Sequence, residues 1–196
     1  MSLQHLAVKV FVANPRAVGE TNWVAYFNRW IQARTMPELL IDVADYRHVH
    51  HGPGVLLIGH EAAYSLDETG GALGLLYTRK AAVSGDDRAA LAQAVGAALS
   101  AAQLISAETS LRFEVSRLQV IVNDRLLAPN TSDRLEALRP TLTAYFDGLY
   151  GAGAYMLGAE APGRQRFIVT VKAAGEPPSL DELAVRQPRT EETADA

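Results

Sequence analysis

The sequence predicts a single α+β domain, with a mixed or mainly antiparallel sheet packed by two or three helices. Short segments rich in Val, Ile, Leu and Phe, typical of strands, are interspersed with segments of helical periodicity. The length of 196 residues fits one domain with a sizeable core. The composition, 48% hydrophobic and 20% charged, is that of an ordinary globular protein.

Turn and capping signals set the expected boundaries of the elements. Asn14-Pro15 ends the first strand, and the Gly-containing segment 67–71 has the chemistry of a hairpin turn. We predict strands over 5–13, 39–46, 55–66, 72–80, 111–122, 154–159 and 166–173. We predict helices over 23–34, 86–108 and 133–150, and a one-turn capping box over 179–182.

Helix 86–108 is unusual because it carries no charged residue between Ala89 and Ala107. A helix without a charged face is normally covered on more than one side. The cover is either the chain's own sheet or a partner chain, and the sequence leaves both open. Of these two possibilities, we expect a partner chain, that is, a homo-oligomer formed through helix 86–108.

The two halves of the chain share a plan of strand, helix, strand and strand. The segment VFVANPR is echoed by VIVNDRL, and AYFNRW by AYFDGL. These matches predict pseudo-repeats over 5–80 and 111–173, a duplicated β-α-β-β unit, although matches this short also arise by chance. Duplicated units of this kind resemble the small-ligand-binding GyrI-like and SOUL groups, a resemblance that concerns the fold and implies no site.

The net charge of −4 is concentrated at the end of the chain. From Glu176 onward there are six acidic and two basic residues, so segment 1–175 is balanced. We expect 1–175 to form the domain and 176–196 to be an acidic, mobile tail. A balanced domain lacks the basic surface that nucleic-acid binding requires, so we expect no nucleic-acid partner.

The chain has no cysteine, which excludes thiolate catalysis, disulfides and Cys-ligated zinc. Any metal ligand must come from His, Asp or Glu. The first residues are not expected to act as a signal peptide, and no long apolar segment predicts a membrane span, so we expect a cytoplasmic protein without membrane contact.

Histidines are concentrated in one segment: four of the five lie within 13 residues. Histidine is the commonest metal ligand, and it also serves as a general acid or base near neutral pH. The segment therefore predicts a small-molecule site or a site for a divalent metal. The histidines are His48, His50, His51 and His60.

Strand geometry divides this segment into two candidate sites. If strands 39–46 and 55–66 form a hairpin, His60 lies about five residues, on the order of 15 Å, from the loop. That distance exceeds a shared coordination sphere. The loop set, a candidate metal site, is Asp45, His48, His50 and His51; the strand set, a candidate catalytic site, is Asp42, His60 and Glu61.

The strand set is expected to be buried. His60 shares the parity of Leu56, Ile58 and Tyr64, so it should lie on an apolar face. Burial beside a carboxylate is one way to tune a general base, although a core histidine without function fits the same pattern. Glu61 points to the opposite face unless a bulge at Gly59 redirects it.

Two hypotheses of function remain open. The first is a small-molecule site in segment 42–61 that carries out metal-assisted hydrolysis or proton transfer. The second is a non-catalytic ligand-binding or homo-oligomeric assembly module in which the histidines are incidental. No P-loop, nucleophile elbow or dinucleotide fingerprint is present in the sequence to add a third.

Overall fold

A computed structural model describes residues 3–124, 129–159 and 165–188, and within them it shows an α+β fold. Eight strands form a single antiparallel sheet in the order β2-β3-β4-β5-β1-β6-β8-β7. The strands are β1 (Leu6–Val12), β2 (Leu40–Tyr46), β3 (Gly54–Gly59), β4 (Ala62–Asp67), β5 (Gly74–Arg79), β6 (Phe113–Val122), β7 (Tyr155–Ala159) and β8 (Phe167–Ala173). The helices are α1 (Trp23–Ala33), α2 (Asp87–Glu108), α3 (Ser132–Tyr150) and α4 (Leu180–Val185), with 3₁₀ turns at Pro15–Glu20 and Thr69–Gly71. The predicted fold class is confirmed.

The strand order is symmetric about the sheet centre. β1 and β6 lie side by side, β5 and β8 flank them, and β4 and β7 come next. The units β1-α1-β4-β5 and β6-α3-β7-β8 thus occupy equivalent positions, and the β2–β3 hairpin extends one edge. A duplicated β-α-β-β unit would give this arrangement, while duplication itself stays a prediction.

The segment predicted as one strand over 55–66 is two strands. β3 ends at Gly59, β4 begins at Ala62, and the turn between them consists of His60 and Glu61. The prediction failed because this two-residue turn lacks the Asn-Gly or Asp-Gly signature by which tight hairpins are recognised. The turn reverses the chain direction, so that Tyr64 on β4 pairs with Leu57 on β3.

The helices cover one face of the sheet. In β1, Leu6, Val8 and Val10 belong to the same buried core as the apolar side chains of all four helices. Alternation along the strand places Lys9 and Phe11 on the opposite face, where none of the described helices packs. Both faces of β1 are buried, because every residue of the strand is shielded from solvent.

Helix α2 lies over the middle of the sheet. Asp86 caps its N-terminus by accepting a hydrogen bond from the Ala89 N–H at 2.8 Å. The helix contacts β1, β5, α3 and α4, and between residues 89 and 105 only Ser100 is exposed. By length and composition α2 could cross a membrane, but this burial is typical of the core helix of a soluble domain. Its uncharged faces are thus covered within one chain, and the homo-oligomer stays a prediction that light scattering can test.

The first part of the predicted C-terminal tail is packed onto the domain. The capping box at Ser179 is confirmed: its hydroxyl accepts from the Glu182 N–H, and the Glu182 carboxylate accepts from the Ser179 N–H. Leu183 of α4 is fully buried beside α2. Residues 189–196 lie outside the described residues.

A buried ion pair occupies the helix-free face. Lys9 Nζ lies 2.7 Å from the Asp67 carboxylate and donates a second hydrogen bond to the Thr69 carbonyl at 2.9 Å. The Lys9 side chain reaches Asp67 by crossing Gly74, where a Cβ atom would lie 2.8 Å from its methylene carbons. The missing side chain at Gly74 therefore gives the lysine its path.

We expect Asp67→Asn to lower the free energy of unfolding by about 3 kcal/mol, because it leaves the Lys9 ammonium buried without a counter-charge. The double variant Lys9→Met/Asp67→Asn should be more stable than Asp67→Asn alone. Urea denaturation measures both. Glu136→Gln, which removes an exposed partner of Arg139, is the control and should change stability by less than about 0.5 kcal/mol. An Asp67→Asn variant as stable as this control would contradict the prediction.

Candidate functional site

The loop set lies in the exposed connection between β2 and β3. His48, His50 and His51 are exposed, and the rings of His50 and His51 are 4.0 Å apart between centroids. Both carboxylate oxygens of Asp45 accept hydrogen bonds from the Arg47 guanidinium. These hydrogen bonds lower the pKa of Asp45 to about 2. A metal would have to displace Arg47 to use Asp45.

The strand set is not buried. His60 is exposed in the β3–β4 turn, and Asp42 is exposed on β2, where its carboxylate accepts from the adjacent Val43 N–H. The expectation of a buried pair of His60 and Asp42 was wrong, because the chain turns at His60 instead of continuing the strand. Glu61 is held away from them by an ion pair with Arg79 at 2.7 Å.

Among residues 3–124, 129–159 and 165–188, no three His, Asp or Glu side chains are placed to hold one metal ion. The metal hypothesis thus gains no support from the geometry. Metal analysis of protein purified without a His tag remains its test.

Glu61 lines a cleft on the helix-covered side of the sheet, which we call the Glu38 cleft. The cleft has a volume of about 620 Å³, within the range usual for small-molecule sites. The β3–β4 turn, β4, β5, α2 and the segments at 36–38 and 184–188 form its walls. The lining residues are Met36, Pro37, Glu38, Glu61, Tyr64, Arg79, Ala92, Gln93, Gly96, Ala97, Ser100, Ala184, Gln187 and Pro188.

Two buried tyrosines carry hydrogen bonds across the floor of the Glu38 cleft. Tyr64 donates its hydroxyl proton to Glu38 Oε1 at 2.6 Å. The neighbouring ring of Tyr77 lies 5.1 Å away between centroids, and its hydroxyl accepts from Gln93 Nε2 at 2.7 Å. Tyr64 and Tyr77 are cross-strand partners on β4 and β5, so the sheet register fixes this arrangement.

No protein-family model matches the chain, and no curated protein sequence matches it. We therefore infer a function from the chemistry of the Glu38 cleft.

The Glu38 cleft has an excess of negative charge. Glu38 and Glu61 are its two carboxylates and Arg79 is the one cation among its described lining residues. Arg79 pairs with Glu61. Within the described part of the chain, Glu38 has no cation within ion-pair distance, and its hydrogen-bond partner is the neutral Tyr64 hydroxyl.

Two amides of the Glu38 cleft are incompletely paired. Gln93 Oε1 and Gln187 Nε2 are buried without a hydrogen-bond partner in the described structure. Each unpaired buried polar atom costs on the order of 1–3 kcal/mol. Such atoms are rare in folded proteins, and a ligand in the cleft is one way to satisfy them.

Of the seven predicted site residues, Glu61 lines the Glu38 cleft, and His51 lines a cavity of about 340 Å³ on the other side of the sheet. Sequence patterns missed Glu38, because it follows Pro37 in a segment that resembles an ordinary helix stop. They also missed Lys9. A charged residue inside the apolar strand LAVKVFV is a signal that could have been used, since such a group requires a buried partner.

Six of the seven tyrosines should resist ionisation. Burial, the largest cause in each case, raises their pKa values, to about 12 for Tyr155. They are Tyr26, Tyr64, Tyr77, Tyr145, Tyr150 and Tyr155. A raised pKa means that the folded state holds the proton more tightly than the unfolded state. This stabilisation is complete below about pH 10, the pKa of an unfolded tyrosine, and is lost as the pH rises through the folded-state values.

We therefore expect the native protein at about pH 11 to show much weaker phenolate absorbance in the near ultraviolet than the denatured protein at the same pH. Stability against urea should fall over the same pH range. Equal phenolate absorbance in the two states, with the native fold intact by circular dichroism, would contradict this expectation.

Gly96 of α2 gives a second prediction. A Cβ atom added there would meet Gln187 Oε1 at 3.7 Å, an ordinary contact. We expect Gly96→Ala to raise the free energy of unfolding by about 0.5–1 kcal/mol, because alanine favours a helix interior. Gly74→Ala is the matched comparison and should be destabilising, because its Cβ would clash with Lys9. Urea midpoints decide between these outcomes, and a loss of stability in Gly96→Ala would refute the prediction.

Proposed function

We propose that the protein binds a small organic cation, such as a molecule with a protonated amine, in the Glu38 cleft without transforming it. The observation that supports this proposal is the half-buried Glu38 carboxylate, which faces the cleft and has no cationic partner among the described residues. A cation that bound beside Glu38 would pair with its charge and leave the hydrogen bond from Tyr64 intact.

The walls of the Glu38 cleft suit a molecule with an apolar body. Met36, Pro37, Ala92, Ala97 and Pro188 provide carbon surface in the cleft. The side chains that α2 presents to the cleft are small, so they leave room for a planar or branched ligand. The arrangement of an apolar pocket with few polar groups is typical of small-molecule sites.

Binding without catalysis fits the chemistry better than an enzyme does. Burial raises the pKa of the Tyr64 hydroxyl well above its ordinary value, and the negative charge of Glu38 raises it further. The hydroxyl therefore stays protonated and donates to Glu38, which orients the carboxylate. Among the described lining residues, no hydroxyl is paired with a histidine that could activate it as a nucleophile.

Fluorescence anisotropy with the planar organic cation proflavine tests this proposal. We expect wild-type protein to bind the dye and Glu38→Gln to bind it about tenfold more weakly, because the variant loses a charge-assisted contact. Gly96→Leu should also weaken binding, because its side chain extends into the Glu38 cleft. Glu136→Gln is the charge-matched control, because it removes a carboxylate from the exposed surface of α3. This variant should bind proflavine as wild type does.

Circular dichroism and urea midpoints establish that each variant is folded. Equal affinities for wild type and Glu38→Gln would show that the dye does not use this carboxylate. No binding by the wild-type protein, or equal binding of a neutral dye of the same size, would also refute a cation site.

A further inference from the structure

The helix-free face of the sheet holds a second cavity, of about 410 Å³, which we call the Phe11 groove. Its floor is formed by side chains from adjacent strands that alternation directs away from the helices. An adjoining cavity of about 340 Å³ shares Phe11, Ala72 and Arg117 with it. The lining of the Phe11 groove includes Phe11, Leu76, Arg117, Ile121, Arg166 and Ile168.

Arg117 lies in the segment of β6 where the pairing with β1 is irregular. The register between β1 and β6 shifts between Val10 and Phe11. Beside this irregularity the Arg117 guanidinium lies 3.8 Å from the centroid of the Phe11 ring, a cation–π geometry. Arg117 Nε is buried and donates no hydrogen bond within the described structure. The guanidinium is thus held in place but keeps hydrogen-bonding capacity for a ligand.

The charge of the Phe11 groove is positive. Lys9 and Asp67 neutralise each other, which leaves Arg117 and Arg166 as its two uncompensated cations among the described lining residues. Arg166 donates to the side-chain oxygen of Asn123 at 3.0 Å, a neutral partner. Lys172 lies opposite Arg117 on β8 and adds a third positive charge nearby. Glu68 is the acid among the lining residues of the adjoining cavity.

We propose that the Phe11 groove binds an organic anion, a carboxylate or phosphate attached to an apolar body. Arg117 and Arg166 provide guanidinium groups whose N–H donors match a planar or tetrahedral anion. Leu76, Ile121 and Ile168 provide the apolar surface for the rest of the molecule. This site lies on the opposite face of the sheet from the Glu38 cleft, selects the opposite charge and does not depend on the function proposed above.

The probe for this site is 1-anilinonaphthalene-8-sulfonate, an aromatic anion whose fluorescence rises on binding. We expect saturable binding to the wild-type protein and about tenfold weaker binding to Arg117→Gln. Arg166→Gln should weaken binding as well, and it serves as the second variant if Arg117→Gln proves unstable. Arg139→Gln, on the exposed face of α3, is the matched control and should bind the probe as wild type does.

Competition experiments identify what the site recognises. Decanoate should displace the probe. Decanol, which has no negative charge, and inorganic phosphate, which has no apolar body, should each displace it at least about tenfold less well. Glu38→Gln should leave probe binding unchanged, and Arg117→Gln should leave proflavine binding unchanged, so the two proposals fail separately.

Three results would overturn the proposal. The first is equal probe affinity in Arg117→Gln, Arg166→Gln and Arg139→Gln. The second is displacement by decanol as effective as displacement by decanoate, which would show an apolar site without anion selectivity. The third is displacement by inorganic phosphate as effective as by decanoate, which would show a site that recognises charge alone.

Discussion

The burial of β1 on both faces is the constraint on which the rest of the structure depends. On one face, Leu6, Val8 and Val10 require an apolar cover, which α2 provides. On the other face no described helix is present, and the buried Lys9 pairs with Asp67 across Gly74. A charge inside an apolar strand is stable in this position because its counter-charge and its path are both built into the neighbouring hairpin.

The composition of α2 determines what the helix-covered side can do. Alanine and glycine let the helix approach the sheet closely, and fully buried residues such as Ala94, Ala98 and Ala101 lie at these contacts. The same small residues at Ala92, Gly96 and Ala97 leave the Glu38 cleft open beside the helix. The uncharged sequence that suggested an oligomer interface is thus explained by packing and by a cleft, both within one chain.

Local patterns predicted most of the elements but little of the site. Helix α2 and its Asp86 cap were foreseeable because capping and periodicity are local properties of the chain. The His60–Glu61 turn was not, because it has no turn signature and is flanked by continuous apolar residues. These residues hide the change in which positions are buried, from Leu57 before the turn to Tyr64 after it. Glu38 reaches Tyr64 across 26 positions of sequence, and Arg117 of β6 contacts the Phe11 ring of β1, so both arise from tertiary contacts that no local pattern contains.

Strand alternation lets one pair of strands line two clefts of opposite charge. On β4, Tyr64 faces the Glu38 cleft while Asp67 points to the helix-free side and holds Lys9. On β5, Arg79 faces the cleft and Leu76 the Phe11 groove. The sheet therefore separates the anionic from the cationic surface by its own thickness, so a ligand on one face need not compete with a ligand on the other.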